Sequence, residues 1–487
     1  MKTQDANKFS TSKKISCVGI LLAAGMLISC GGNANSKVEN TKSIQNMDAE
    51  TEMGEEAGIE TSAESPAADS TVITLGTLEE NYDLNDMASR FHELHPEYRI
   101  EVKVYGSGMY GDMDGLNDLR MEIVSGAGPD LINFGSHYSN SFAAGGITLD
   151  LSSYLEEGIM EEDKYFTNIL DAARMGEEIK AVSPSFSLVS FVGKGSLLEG
   201  TLQKEGRKNW DIEEMKDCYL AMPEGTVLFM GDDKGSVFAF LCTRTMDSFV
   251  DWSSGTCNFT DDRFVDMLTF TDCFSEKLML EEDYSCTANY AQGKALLYPC
   301  TVEDVYAVAL ADALMGEESI FIGYPIDKAA GKQSGNLIQS GQIVLGIGAN
   351  SGYKEEAWEY IKMFFEEEYQ STINGELPVS RSELEKRLLQ AQTLEMIVDE
   401  EGNSIEAVQA EMGFEGEDRI QVTAITPEQG ERLIEIIESA DSTSATDREM
   451  YLIAREEAEM YLSGDRSAED TAEVIQRRLS MYVGEKQ

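Results

Sequence analysis

The stretch from Phe91 to Ser136 most limits what this chain can fold into, because it dictates a strand, a crossover helix and a second strand in succession. Ile100, Val102 and Val104 alternate with Arg99, Glu101 and Lys103 at the two-residue period of a strand. Leu116, Leu119, Ile123 and Val124 then fall on one face at helical spacing. Gly126, Gly128 and Pro129 stop that helix, and Asp130-Leu131-Ile132 opens a short buried strand. A βαβ unit of this kind belongs to a parallel sheet, so the chain is α/β. Just upstream, 72–77 reads as the first strand and 83–94 as a helix with Leu84, Met87, Phe91 and Leu94 on one face.

What precedes this unit does not look like part of a core. Lys8, Lys13 and Lys14 lead into an apolar run from Ile15 to Cys30, too short to remain as a membrane-spanning helix and flanked like a secretory signal. Between 31 and 70, nine acidic residues oppose Lys37 and Lys42 with no apolar periodicity. That composition cannot bury enough surface to order itself and reads as a tether. The body from Thr71 to Gln487 exceeds one ordinary core and suits two lobes.

Charge and motifs exclude several functions. The 89 acidic and 38 basic residues give a net charge of −51, which argues against nucleic acid as a partner, since phosphate binding needs basic patches. No C-x-x-C spacing occurs, so a zinc or redox site has no support; Cys218, Cys242, Cys257, Cys273, Cys286 and Cys300 are free thiols or disulfides that spacing cannot pair. Gly106 to Gly111 matches G-x-G-x-x-G but follows the second strand, and reads as a loop. His92 and His95 stand three apart where a zincin needs four, and Asp112-Met113-Asp114-Gly115 puts Gly too early for a calcium loop. No catalytic residue, metal or cofactor is assigned.

The run F-x-x-x-H-P-x-Y-R-I-E-V, followed by E-I-V-S-G-x-G-P-D-L-I, resembles the first lobe of family 1 extracellular solute-binding proteins, the capture subunits of ABC importers. The resemblance implies a two-lobed, type II periplasmic-binding-protein fold: each lobe a mostly parallel sheet flanked by helices, a cleft between them, and hinge crossings. Leu27-Ile28-Ser29-Cys30 resembles the bacterial lipobox, which implies removal of 1–29 as a signal peptide and diacylation of Cys30. The segments 149–155, 177–191, 209–215, 249–259, 289–298, 320–325, 355–370 and 474–476 resemble later family segments. They imply lobe one at 71–183 plus 326–376 and lobe two at 184–325 plus 377–487. Asp211 and Glu214 are expected to cap a helix after Trp210, and Trp358 to lie in the core.

Ligands of open parallel sheets lie beyond the carboxyl ends of the strands, which nominates Glu79 in the loop after the first strand. By the resemblance, Asn133 ends the third strand at the cleft, where its amide can donate to and accept from a sugar hydroxyl. Phe186, Trp252, Tyr298 and Tyr324 are the aromatic candidates for stacking on a sugar face. Pro184, Ser185, Pro325 and Pro378 mark the hinge crossings. The function so implied is a monomeric lipoprotein on the outer face of the bacterial cell membrane that captures a sugar or oligosaccharide and passes it to an ABC permease. Two other classes fit the same chain: an exported glycan hydrolase using a pair of its many acids, and a ligand sensor without transport.

Overall fold

A computed structural model of the chain describes residues 70–106, 113–135, 140–202, 209–276, 285–399, 402–444 and 447–486. Cys30 with its apolar run, the tether through 69, Ser136, Asp112 and all but the first residue of the G-x-G-x-x-G motif lie outside the described residues. Among those described, no helix is long and apolar enough to cross a membrane.

Two sheets carry the fold, built from β1 (Thr71–Thr77), β2 (Tyr98–Val104), β3 (Leu131–Asn133), β4 (Ser185–Lys194), β5 (Leu297–Val302), β6 (Ser319–Phe321), β7 (Leu337–Ser340), β8 (Leu345–Ile347) and β9 (Leu377–Pro378). The first sheet has the order β8-β3-β1-β2, with β1 parallel to β2 and β3 and β8 returning antiparallel. Its crossovers are the helices Tyr82–Leu94 and Met113–Val124. Leu84, Met87 and Phe91 are buried beneath the first, and Leu119 beneath the second. Leu94 and Val124, expected on those apolar faces, are 59% and 84% exposed. Each is the last residue of its helix, where the chain turns back toward the sheet. Asp130 fastens the start of β3 to β1: its carboxylate accepts from the Thr74 amide and hydroxyl, both at 2.9 Å.

The second sheet is organised on β4, nine of whose ten residues are buried. Val192 pairs with Tyr298 on one edge and Phe321 on the other, so β5 and β6 flank the strand. β7 and β9 pair with its first half. All four partners run antiparallel to β4. The mostly parallel sheet expected of each lobe is therefore found in the first and not in the second. The reason is directional: β4 leads away from the first sheet, and every segment that flanks it leads back.

Successive β4 side chains point to opposite faces. Leu188 and Val192 join a cluster with Leu314 of the helix Ala307–Met315 and Leu433 of the helix Pro427–Ser439. Val189 and Phe191 join another with Val237 and Phe238 of the helix Lys234–Thr245, Trp252, and the tail residues Ala454 and Ile475. The sheet is thus covered on both sides, which a wholly buried strand requires. Asp211 and Glu214 form the expected reciprocal cap on the helix Ile212–Leu220. Trp210 before it is fully buried, and its indole N–H donates to the Gly323 carbonyl at 2.9 Å. Trp358 packs in the first cluster, as expected. Cys218, Cys242, Cys257, Cys273, Cys286 and Cys300 are all free thiols.

Candidate functional site

A cavity of about 360 Å³ opens where the segment 172–176, which follows the first three strands in the chain, meets the end of the helix Lys234–Thr245 and the return segment 325–327. That volume is at the lower end of the range for small-ligand sites. The first half of the chain supplies Asn140, Arg174 and Gly176, and the second supplies Arg244, Asp247, Trp252 and Lys332. Trp252 is held by geometry rather than by packing alone, because its indole N–H donates to Asp247 Oδ1 at 2.7 Å. The other oxygen, Oδ2, accepts from the Asn140 amide at 2.6 Å. Burial pushes the Asp247 carboxyl up to about 6, against the opposing pull of those two donors, with a further push from Asp447. The Ser141 hydroxyl, next in the chain to Asn140, donates to Asp447, the N-cap of the helix Arg448–Leu462. A short helix of the first half, Asn140–Ala144, is therefore bonded to two acids of the second half beside the cavity.

The profile of the family described as "Bacterial extracellular solute-binding protein" matches residues 76–191, the segment that builds β1 to β3 and most of β4. Over that segment the chain is similar to the bacterial extracellular solute-binding proteins. No curated protein sequence matches it. Among solved structures, it resembles a periplasmic oligogalacturonide-binding protein from Yersinia enterocolitica, with 13% identity and a TM-score of 0.52 over 85% of this chain and 100% of the other. The sugar-binding protein MalE from Xanthomonas citri aligns with a TM-score of 0.50 at 13% identity, over 85% of this chain and 98% of the other. A de novo designed cysteine esterase also aligns, with a TM-score of 0.51 at 13% identity over 86% and 99%. At such identities the likeness is one of fold: the two-lobed α/β architecture of periplasmic binding proteins. The esterase makes the point directly, since chemistry resides in sites and not in folds.

On this solute-binding fold, the residues nominated from sequence separate into groups. Trp252 and Pro325 line the main cavity. Glu79 and Asn133 meet in a smaller hollow of about 30 Å³ at the carboxyl ends of β1 and β3. There the Asn133 amide is already engaged: it donates to Thr77 Oγ1 at 3.2 Å, and its oxygen accepts from the Val344 amide at 2.8 Å. Phe186 is fully buried against Phe166 and borders a third hollow of about 20 Å³ with Ser185. Tyr298 packs edge-on to Tyr290, and Tyr324 lies under Phe191 with ring centres 4.3 Å apart; both fall outside these three hollows. Of the hinge set, Pro378 pairs with Ser185, so the first and third crossings run side by side. The Pro184 carbonyl accepts from the Gln370 side chain at 2.9 Å, and the Ser185 hydroxyl donates to Glu376 at 2.5 Å. Burial pushes that Glu376 carboxyl above its ordinary range. Sequence reasoning passed over Arg244, Asp247, Lys332 and Asn140. None sits in a motif, and only the three-dimensional register of one helix against two loops brings them together.

Proposed function

We propose that this protein is a cell-surface solute-binding lipoprotein, anchored through diacylated Cys30, that captures a sugar or oligosaccharide between two lobes and delivers it to the membrane permease of an ABC importer. The lobes proposed are 71–183 with 326–376 and 184–325 with 377–487, the strand Leu337–Ser340 of the first pairing with β4 of the second, and they work as a monomer about the crossings at Pro184-Ser185, Pro325 and Pro378. The observation that carries this reading is the cavity bounded by both halves of the chain, with the Trp252 ring and hydrogen-bonding side chains at its wall. An aromatic face beside convergent polar groups suits a sugar, which presents C–H on its ring faces and hydroxyls on its rim. The printed descriptions of two fold relatives, oligogalacturonide-binding and sugar-binding, point the same way. Glu79, Asn133 and Tyr298 are retained as contacts, while Phe186 and Tyr324, both buried, shape the walls behind the ligand.

The test is a thermal-shift screen of the full-length protein against mono- and oligosaccharides, followed by calorimetry on each hit and chromatography of the recovered ligand. A ligand that binds only the native state raises the melting temperature by mass action. A glycan that shifts the transition, is recovered intact, and loses at least about tenfold in affinity with Trp252→Ala supports capture. Recovery of cleaved glycan would make the protein a hydrolase. No shift across the panel removes sugar as the ligand and leaves the fold untouched.

A further inference from the structure

Three acids and three bases line the main cavity: Asp247, Asp251 and Asp327 against Arg174, Arg244 and Lys332. Every one of the acids is satisfied internally. Asp251 accepts from the Ser253 and Ser254 hydroxyls at 2.5 and 2.7 Å. Asp327 is paired with Arg263 and accepts the Ala330 amide at 3.0 Å. Asp247 is taken up by Trp252 and Asn140. Arg174 is likewise engaged, by Asp171 at 2.8 Å and by the Glu177 carbonyl at 2.6 Å.

The other two cations are different. The Nε–H of Arg244 is buried with no hydrogen-bond acceptor. Its guanidinium interacts with the buried Tyr324 hydroxyl, which is no substitute for a carboxylate. The Lys332 ammonium meets a single backbone oxygen, that of Asp441, at 2.7 Å. Among the described residues, neither cation has a carboxylate partner. This occurs in a molecule with 89 acidic residues to 38 basic, where a carboxylate is the most available neighbour a cation can have. That Nε–H is closed to solvent, so what the cavity offers a ligand is the positive charge of the guanidinium and of the ammonium, neither of them met by a carboxylate. The group that answers both cations is an anion with two oxygens, because a guanidinium fork takes a carboxylate in a bidentate fashion and an ammonium adds a point charge.

We propose that the cavity selects a carboxylated saccharide, a uronic acid or a glycan bearing one, with the carboxylate held by Arg244 and Lys332 and the sugar ring against Trp252. The proposal rests on the capture reading above and names its substrate class. Tyr324, nominated as a ligand contact from sequence, becomes a positioning residue that acts through Arg244.

The experiment is calorimetry on the full-length protein with galacturonate and glucuronate mono-, di- and trisaccharides and with the neutral galactose and glucose saccharides of the same linkage. Uronates are expected to bind at least about tenfold more tightly than their neutral counterparts, the least that one charge-assisted bond is worth. Their affinity should fall as salt is raised. Lys332→Gln and Arg244→Gln should each reduce uronate affinity by about 10- to 100-fold, and bring the uronate-to-neutral ratio toward one. Arg244→Gln borders the core at Tyr324, so Lys332→Gln, on a half-exposed side chain, decides the matter alone if the first variant fails to fold. If neutral saccharides bind as well as uronates and Lys332→Gln leaves the ratio unchanged, the anion site is overturned and capture stands. If no saccharide of either kind binds, both readings fall together.

Discussion

Asp247 joins the two halves of the chain through one side chain. Its carboxyl, pushed by burial from the ordinary 3.8 to about 6, favours the proton more in the folded state than in the unfolded one. The stability it contributes is therefore fully present below about pH 4 and is lost as pH rises through 6. We expect Asp247→Asn to match the parent at pH 4 and to exceed it by about 1–2 kcal/mol above pH 6.5, after discounting for the part of the side chain that solvent still reaches. Ligand-free melting curves at half-unit pH steps read this directly; a difference that shrinks as pH rises would reverse the assignment. Asp232, also raised to about 6 by burial, is common to both proteins and cancels in the comparison. No sequence pattern discloses such a residue. Asp247 is one of 89 acids, and what sets it apart is the arrival of Asn140 from 107 positions upstream.

At the scale of elements, two short features control how the return crossing reaches the cavity. The first is the cap on the helix Ile212–Leu220, where Asp211 accepts from the Glu214 amide at 2.9 Å and Glu214 reaches back. Asp211→Ala should cost about 1 kcal/mol in chemical denaturation without changing the slope of the transition. The second is Gly323, with φ of +74° just before Tyr324 and Pro325, where a Cβ would collide with the Gly335 backbone. Gly323→Ala should cost about 2 kcal/mol or more, since both the left-handed angle and the close approach oppose it and what the Cβ meets is backbone, not a movable side chain. An unchanged melting temperature would mean that this turn relaxes freely. The cap was legible in the residues themselves, as were the βαβ unit and the core Trp358, because each depends on neighbours within a few positions. The antiparallel second sheet was not legible: strand period records which face is buried but not which way a partner runs. Nor was the cavity, whose walls come from 140, 172–176, 244–253, 325–337 and 442–443. Trp252, nominated for stacking, and Pro325, nominated for a hinge, both line it, and each stood out by its own chemistry, a large flat side chain and a fixed φ. Arg244 and Lys332 carry it only through what fails to surround them.

For the molecule as a whole, the question is what holds the two halves against one another when no ligand is bound. The helix Asn140–Ala144 reaches across to Asp247 and Asp447. Asp447 is a good anchor, because its Oδ1 is already fixed by the Glu449 amide at 2.8 Å and the Tyr482 hydroxyl at 2.9 Å, which leaves Oδ2 for Ser141. If these bonds form only when the halves are together, they bias the equilibrium toward the form that binds. Ser141→Ala removes one bond to a charged acceptor, worth about 1.5–3 kcal/mol, and leaves the cap of the helix Arg448–Leu462 intact. The ligand-free protein should then shift toward an open form, seen as a larger radius of gyration in solution scattering. Apparent ligand affinity should fall by the factor lost from the competent population, about 10-fold or more if that population becomes the minor one. The loaded protein should keep its compact radius, because contacts to both halves restore the closed form. A radius unchanged in the ligand-free state, with affinity unchanged, would mean that Ser141 and Asp447 stay bonded through opening and closing, and would place the moving boundary elsewhere in the chain.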